Sequence, residues 1–476
     1  MPFSRSLRWL CGAICIFAAY GADRYDIDWK ALRPEVLDYF TSLVRIDTSN
    51  PPGNESRAAE YLKLILDREG ISSREFAADP NRANLVARVR GNGSRKPIVM
   101  LGHTDVVGVQ REKWPVDPFS ALRKDGFIWG RGTCDDKSLV AAELAVMLLL
   151  QREHVKLDRD VIFVAEAGEE GSNSLGIDFL VDQHWPDIEA EYALAEGGYA
   201  SARDGKVRYV EITTTEKIPR STRLIAHGTS GHGSRPRADN ALLHLSAAVA
   251  KFAEWQPPMR LNDTTRAYFE RLATVSAPED AWRFNHIADR SATQKIQSYL
   301  AEHDPGDYSI LRTSIVPTMI SGGFRSNVIP SQAEATLDIR ALPDEDMDQL
   351  YGELRRVISD PSIDIVAVGR DHRRPSPPSR LDTEMFQALQ RAQKRMYPGA
   401  ITIPAMLTGA TDMAQLRMKG VQAYGYGPVV EEREVALHGP HSDQERLAES
   451  SLYEMTEFLW RTVIDVAATK ESYVSK

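Results

Sequence analysis

Apolar positions over residues 29–44 fall at Leu32, Val36, Tyr39, Phe40 and Val44, the spacing of one helix face. A second amphipathic stripe covers residues 55–69 and stops at Gly70, a residue that ends helices without steric cost. The pattern then changes. Residues 84–89 alternate, and residues 97–102 and 160–165 are short apolar runs, as expected of strands buried in a sheet. Helical spacing returns over 137–153 and near 174–183, and residues 193–196 read as another short strand. Strands alternating with helices predict an α/β fold: a catalytic domain with a mainly parallel central sheet flanked by helices.

The character shifts near Gly205. Residues 207–215 and 223–227 are strand-like, 240–255 helical, and 256–310 helical and loop-rich. An alternating strand at 333–340 and a helix at 347–359 follow. This order predicts an inserted α+β (ferredoxin-like) domain over residues 206–372. The turn-rich run 375–379 marks the return, and helical segments at 383–396, 410–419 and 448–469 complete the first domain. The domain plan is therefore 1–22, 23–205, 206–372 and 373–476.

Composition is that of an ordinary globular protein, 476 residues with 42% hydrophobic and 26% charged. A net charge of -9 and no obvious basic face argue against nucleic acid as a partner. Residues 1–22 have the form of a secretory signal: Arg5 and Arg8 precede an apolar stretch from Trp9 to Ala19 that is short for a bilayer span. Cleavage after Gly21 or Ala22 would leave an exported protein, periplasmic or secreted, with no stable membrane span; an uncleaved N-terminal anchor is the alternative. The processed chain keeps one cysteine, Cys134, so no internal disulfide is expected.

The candidate chemistry lies at strand ends. The apolar run 161–165 leads into Glu166-Ala167-Gly168-Glu169-Glu170-Gly171. Paired acids at the edge of a core need a metal, an opposite charge or hydrogen bonds. His103-Thr104-Asp105 follows the strand 97–102; residues two apart share a face there, so Asp105 can orient the His103 ring. Gly130-Arg131-Gly132-Thr133-Cys134-Asp135-Asp136 puts two acids after flexible glycines, although an aspartate there also suits a helix N-cap. Glu196 ends a third strand, and His441 comes late with Glu445 four residues on. In open α/β sheets, ligands bind beyond the carboxyl ends of the strands. Two histidines and several carboxylates gathered there suit two zinc ions or similar borderline metals.

These motifs resemble the M20 metallopeptidases, a family of aminoacylases, carboxypeptidases and succinyl-diaminopimelate desuccinylases. The likeness rests on Gly102-His103-Thr104-Asp105, Gly130 to Lys137 and Glu169-Glu170-Gly171, with Gly231-His232-Gly233-Ser234-Arg235-Pro236 and Asn327-Val328-Ile329-Pro330 after them. The segment Trp114-Pro115-Val116-Asp117-Pro118-Phe119 is most similar to the carboxypeptidase S branch. The resemblance implies a co-catalytic hydrolase with two zinc ions per subunit, cobalt or manganese being possible substitutes. Asp135 would bridge the metals, His103 and Glu196 would complete one site, and Glu170 and His441 the other. The family pattern of a ligand four residues before a glutamate selects His441 over His438. Glu169 would be the general base, Asp105 would orient His103, and His232 would polarise the scissile carbonyl, often from a partner subunit. Asn327, Arg340 and Gly409 resemble substrate-binding positions, and the peptide after Asp135 is expected to be cis. The implied substrate is a small peptide cut carboxypeptidase-fashion, or alternatively an N-acyl amino acid; a non-catalytic binding relative is the remote reading. The inserted domain would serve as a mobile lid and build a homodimer.

Overall fold

A computed structural model describes residues 25–368 and 375–469. The signal at 1–22 and the boundary at 372/373 lie outside the described residues. Among the described residues no helix is long and apolar enough to cross a membrane.

The amphipathic stripes become the helices Trp29–Arg45, begun by the Asp28 side chain accepting the Ala31 N–H, and Ser56–Arg68. Lys137–Arg152 is buried almost all round, as its run of Leu, Ala and Val, broken by Glu143 and Met147, requires. With Trp29–Arg45 and Glu449–Ala467 it covers one face of a ten-stranded sheet. The helices Ile177–Gln183 and Met413–Met418 cover the other. The two-residue period of a strand explains the division: Ile98 and Met100 face the first layer, Val99 and Leu101 the second.

The sheet runs Ser73–Ala77, Ala83–Val89, Val161–Glu166, Ile98–His103, Tyr192–Ala195, Gln422–Gly425, Lys206–Glu216, Tyr199–Arg203 and Val429–Glu431; Ile401–Leu407 also pairs with Lys206–Glu216. Its central pairings, from Val161–Glu166 through Gln422–Gly425, are parallel. Parallel central strands deliver their carboxyl ends to one edge, so His103, the Glu169-Glu170 turn and Glu196 leave the sheet side by side.

The inserted sheet begins later than the sequence suggests. Lys206–Glu216, expected in the insertion, pairs with Tyr199–Arg203 and Ile401–Leu407 in the large sheet, and its Val210 and Ile212 belong to the large core. A strand-like pattern cannot say which sheet a strand joins; its partners are distant in sequence. The insertion starts at Ile218–His227 and continues as Ala241–Lys251, Ser314–Gly322, Gln332–Ala341, Met347–Ile358 and Ile363–Ala367. This β-α-β-β-α-β order forms an antiparallel sheet in the spatial sequence 314–322, 332–341, 218–227, 363–367, the ferredoxin-like arrangement. The helices Asp263–Ala273, Pro278–Asn285, Thr293–His303 and Pro305–Ile310 interrupt it. They pack partly on the large sheet: their core takes in Met406, and Arg271 Nη1 donates to the Thr402 carbonyl.

Candidate metal centre

Five segments meet at the carboxyl edge of the parallel strands. His103 closes Ile98–His103 and is buried. Its Nδ1 lies 2.9 Å from the Asp105 carbonyl oxygen and 3.5 Å from Asp105 Oδ1. An Nδ1–H donated to that carbonyl leaves Nε2 with its lone pair directed into the site. Nε2 is 2.8 Å from Asp135 Oδ1 and 3.8 Å from Glu196 Oε2. On the other side of the same carboxylate, His441 Nε2 is 3.3 Å from Asp135 Oδ2 and 3.0 Å from Glu170 Oε1. The two oxygens of Asp135 thus face two separate donor sets.

Local structure fixes each member. The peptide between Asp135 and Asp136 is cis, as expected. The loop before it hangs on Glu445, which the sequence reading used only to count back to His441. Glu445 is fully buried; Oε1 accepts the N–H groups of Cys134 and Asp135, and Oε2 accepts Gly132 N–H and Arg131 Nη1. Gly168 makes the turn that presents the two glutamates: its φ is +82°, and a Cβ there would sit 2.5 Å from the Ser172 carbonyl oxygen. His441 itself has a left-handed backbone, φ 65°, the kind of local strain that gathers at functional sites.

Asp105 does more than face His103. Oδ1 accepts the Glu169 N–H at 3.1 Å; Oδ2 accepts the Glu170 N–H at 3.1 Å and Asn50 Nδ2 at 2.8 Å. Burial pushes the Asp105 carboxyl up, but His103, Asn50 and the Glu170 N–H outweigh it and hold it below the usual carboxylate range. One buried carboxylate therefore positions a histidine and the whole Glu169-Glu170 turn. Asn50, buried beside it, was not singled out from the sequence; its signal lay hidden in a proline-rich turn.

The donor set fits cations. Ligand atoms of His103, Asp135 and Glu170 lie within 4.8 Å of one another, as do those of His103, Asp136 and Glu196. Burial, and then the Asp135 charge, push the Glu196 carboxyl well above its ordinary value. Carboxylates crowded this way repel each other in a dry site unless positive charge offsets them. Asp136, a neighbour in this cluster, has a buried Oδ2 without a hydrogen-bond partner among the described residues.

The centre opens into a cavity of about 730 Å³ lined by Asp135, Glu169, Glu170, Glu196 and His441 together with Arg340 and Gly409. Arg340 reaches it from the inserted sheet and donates Nε to Asp338 Oδ1 at 2.9 Å. A cleft of about 550 Å³ adjoins it, sharing Glu169, Glu170 and Arg340. His438 lines the cavity edge but its Nδ1 faces the Gln444 carbonyl, away from the carboxylates. His232 and Asn327 line neither space. They sit beside each other at an exposed part of the insertion, where Gly233 N–H donates to the Asn327 carbonyl. Asp412 stands at the N-cap of Met413–Met418, where its side chain makes no capping bond and Oδ1 accepts from Asn173 Nδ2.

An α/β sheet with acids and histidines converging at its carboxyl edge defines a metal-dependent hydrolase. The sequence signature of peptidase family M20/M25/M40 matches residues 99–465, and the chain belongs to that family. The N-fatty-acyl-amino acid synthase/hydrolase PM20D1 of Xenopus tropicalis is 27% identical over 376 residues, 76% of this chain and 71% of the relative. A probable carboxypeptidase S-like protein of Dictyostelium discoideum is 27% identical over 78% of this chain and 72% of its own. Among solved structures, the M20 metallo-carboxypeptidase Sso-CP2 of Sulfolobus solfataricus shares the fold with a TM-score of 0.64, 17% identity, and 90% and 98% of the two chains covered.

Proposed function

We propose that the protein hydrolyses an amide bond next to a free carboxylate, using two metal ions held by His103, Asp135, Glu170, Glu196 and His441. The observation that carries this is the split of Asp135: one oxygen faces His103 and Glu196, the other His441 and Glu170. Zinc suits such a nitrogen and carboxylate set. When bound, a metal pair of this kind makes a water acidic near neutral pH and polarises the scissile carbonyl.

The chain's own groups do the rest. Glu169, aimed by the Asp105 clamp, takes a proton from the attacking water and passes it to the leaving amine. Arg340 at the cavity wall grips the substrate carboxylate, a task its planar fork suits. Gly409, at the wall of the same cavity, leaves room for substrate. Two substrate classes meet these terms: a peptide trimmed at its C-terminus, and an N-acyl amino acid. Both are found among the names of the relatives.

His232 and Asn327 complete the site only from a second copy of the chain, in this reading. The strand Ser314–Gly322 leaves one edge of the inserted sheet unpaired and carries exposed Val316, Met319 and Ile320, with Phe324 just beyond. Apolar exposure along a free sheet edge supports a homodimer built there. Export to a periplasm or the medium belongs to the same proposal.

The test is Glu169→Gln with zinc, assayed on dipeptides and N-acyl amino acids. Metal content should persist while turnover falls by about 10²–10⁴. Near wild-type turnover would remove Glu169 from the mechanism.

A further inference from the structure

We propose that the cavity between the large sheet and the helices of residues 263–310 is a second binding site, for a guanidinium or alkylammonium group carried on a partly apolar body.

The strand Lys206–Glu216 divides its side chains by the two-residue period. Val210 and Ile212 turn into the main core. Tyr209 and Glu211 therefore turn to the opposite face, and Tyr199 stands directly across from Glu211 on the neighbouring strand. A sheet face covered by helices is ordinarily apolar. This one carries two tyrosines and an acid, and the helices do not close down on them. They leave a cavity of about 610 Å³, inside the range of about 300–1,000 Å³ typical of small-molecule sites. From the helices, Tyr268 and Asp307 complete the polar wall, with the Tyr268 hydroxyl donating to Asp307 Oδ1 at 2.9 Å. Leu272, Phe284, Leu300 and Ile310 supply the apolar wall.

The charges along this wall do not balance. Arg203 and Arg208 also line the cavity, but Arg203 pairs with Glu432 and Arg208 donates to the Val275 carbonyl. His303 turns Nδ1 to the Tyr299 carbonyl. Asp280 pairs with Arg283, and Asp304 caps the helix Pro305–Ile310. Glu211 and Asp307 keep the hydroxyls of Tyr199 and Tyr268 as partners, and among the described residues neither meets a lysine or arginine. Burial pushes the Glu211 carboxyl up to about 7; burial, then the charges of Asp304 and Glu211, push Asp307 up to about 8.

An unpaired carboxylate is costly away from water, so buried acids that serve only packing are paired within the chain. The partner that this chain does not supply is a cation, and the cavity has the space to admit one. A guanidinium suits it best. Its planar fork bonds carboxylates and its face stacks on aromatic rings; Tyr199 and Tyr209 stand 6.3 Å apart, centroid to centroid. Tyr199 and Leu407 line the catalytic cavity as well, so the two spaces share a wall. The cation is either free or the basic end of a substrate held at the metal centre.

The experiment titrates the zinc-loaded full chain by calorimetry with butylguanidinium and, separately, with butylurea, which has the same shape and no charge. Neither probe is an amide beside a carboxylate, so this readout is independent of the proposed hydrolysis. Butylguanidinium should bind, and butylurea about tenfold more weakly, the difference between a charged and a neutral hydrogen bond. Glu211→Gln and Asp307→Asn should each weaken butylguanidinium by about 10- to 150-fold, the value of one such charged bond. Leu272→Trp fills the cavity and leaves both acids in place; it should abolish binding, and it serves as the second variant where an isosteric one fails to fold. Hydrolysis of N-acetylarginine against N-acetylcitrulline then separates the two sources. A preference for arginine that disappears in Glu211→Gln puts the cation on the substrate, and equal rates with calorimetric binding retained make it a separate ligand. No binding of butylguanidinium, equal binding of butylurea, or binding unchanged in Glu211→Gln and Asp307→Asn overturns the site.

Discussion

Asp105→Asn should damage this protein out of proportion to a change of one atom. Asp105 Oδ1 accepts the Glu169 N–H, with the His103 ring 3.5 Å away, and Oδ2 accepts both the Glu170 N–H and Asn50 Nδ2. An amide replaces one oxygen with an NH2 group. On the Oδ2 side it leaves two donors facing a donor, on the Oδ1 side one, in a fully buried place. Hydrogen bonds to a charged group are worth about 1.5–3 kcal/mol each, so the loss is roughly 1.5–6 kcal/mol before relaxation, depending on the side. The same substitution frees the Glu169-Glu170 turn, and a misplacement of about 1 Å in a catalytic group costs about 10² in rate. Urea unfolding, zinc content and kcat of the variant read the two effects separately. Asn50→Ala removes only one donor and should show a smaller loss of the same kind. A variant Asp105→Asn with unchanged urea midpoint and kcat within about threefold of wild type would refute the clamp.

His441→Ala should lower the metal content of the purified protein, whereas His438→Ala should leave it intact, because only His441 faces Asp135 and Glu170; loss of metal in the second variant alone would exchange their roles. Arg340→Lys keeps the charge but loses the fork, and one charge-assisted bond of about 1.5–3 kcal/mol sets the expected fall in kcat/KM at about 10- to 150-fold, seen mainly in KM. Burial and then the Asp304 charge push the Asp307 carboxyl up to about 8. An acid whose folded pKa is raised stabilises the fold when protonated: the contribution is complete below about pH 4 and is lost as pH rises toward 8. Asp307→Asn should therefore flatten stability against pH across that window, measured by urea midpoints; an unchanged slope would remove Asp307 as its source.

Much of the site was legible because chemistry and strand ends coincide in the sequence. His103, Asp135, Glu170, Glu196 and His441 were all picked out, and the structure brings them within a few ångströms of Asp135. Arg340 and Gly409 also reach the cavity. His232 and Asn327 do not line it within one chain. The roles of Glu445 and Asn50 escaped notice for one reason: each acts through hydrogen-bond partners more than fifty residues away, and no local pattern records such a partner. Lys206–Glu216 was recognised as a strand but given to the wrong sheet.

The sequence by itself determined the elements and their amphipathic faces. Period and composition are local, and burial follows from them: Lys137–Arg152 could only be an interior helix, and Val161–Glu166 only a strand ending in acids. Tertiary structure alone decided the pairing of Lys206–Glu216 with Ile401–Leu407, the two-sided exposure of Asp135, and the meeting of two open spaces at Glu169 and Glu170. Those depend on which distant surfaces pack together, a choice made by the summed burial of the whole core.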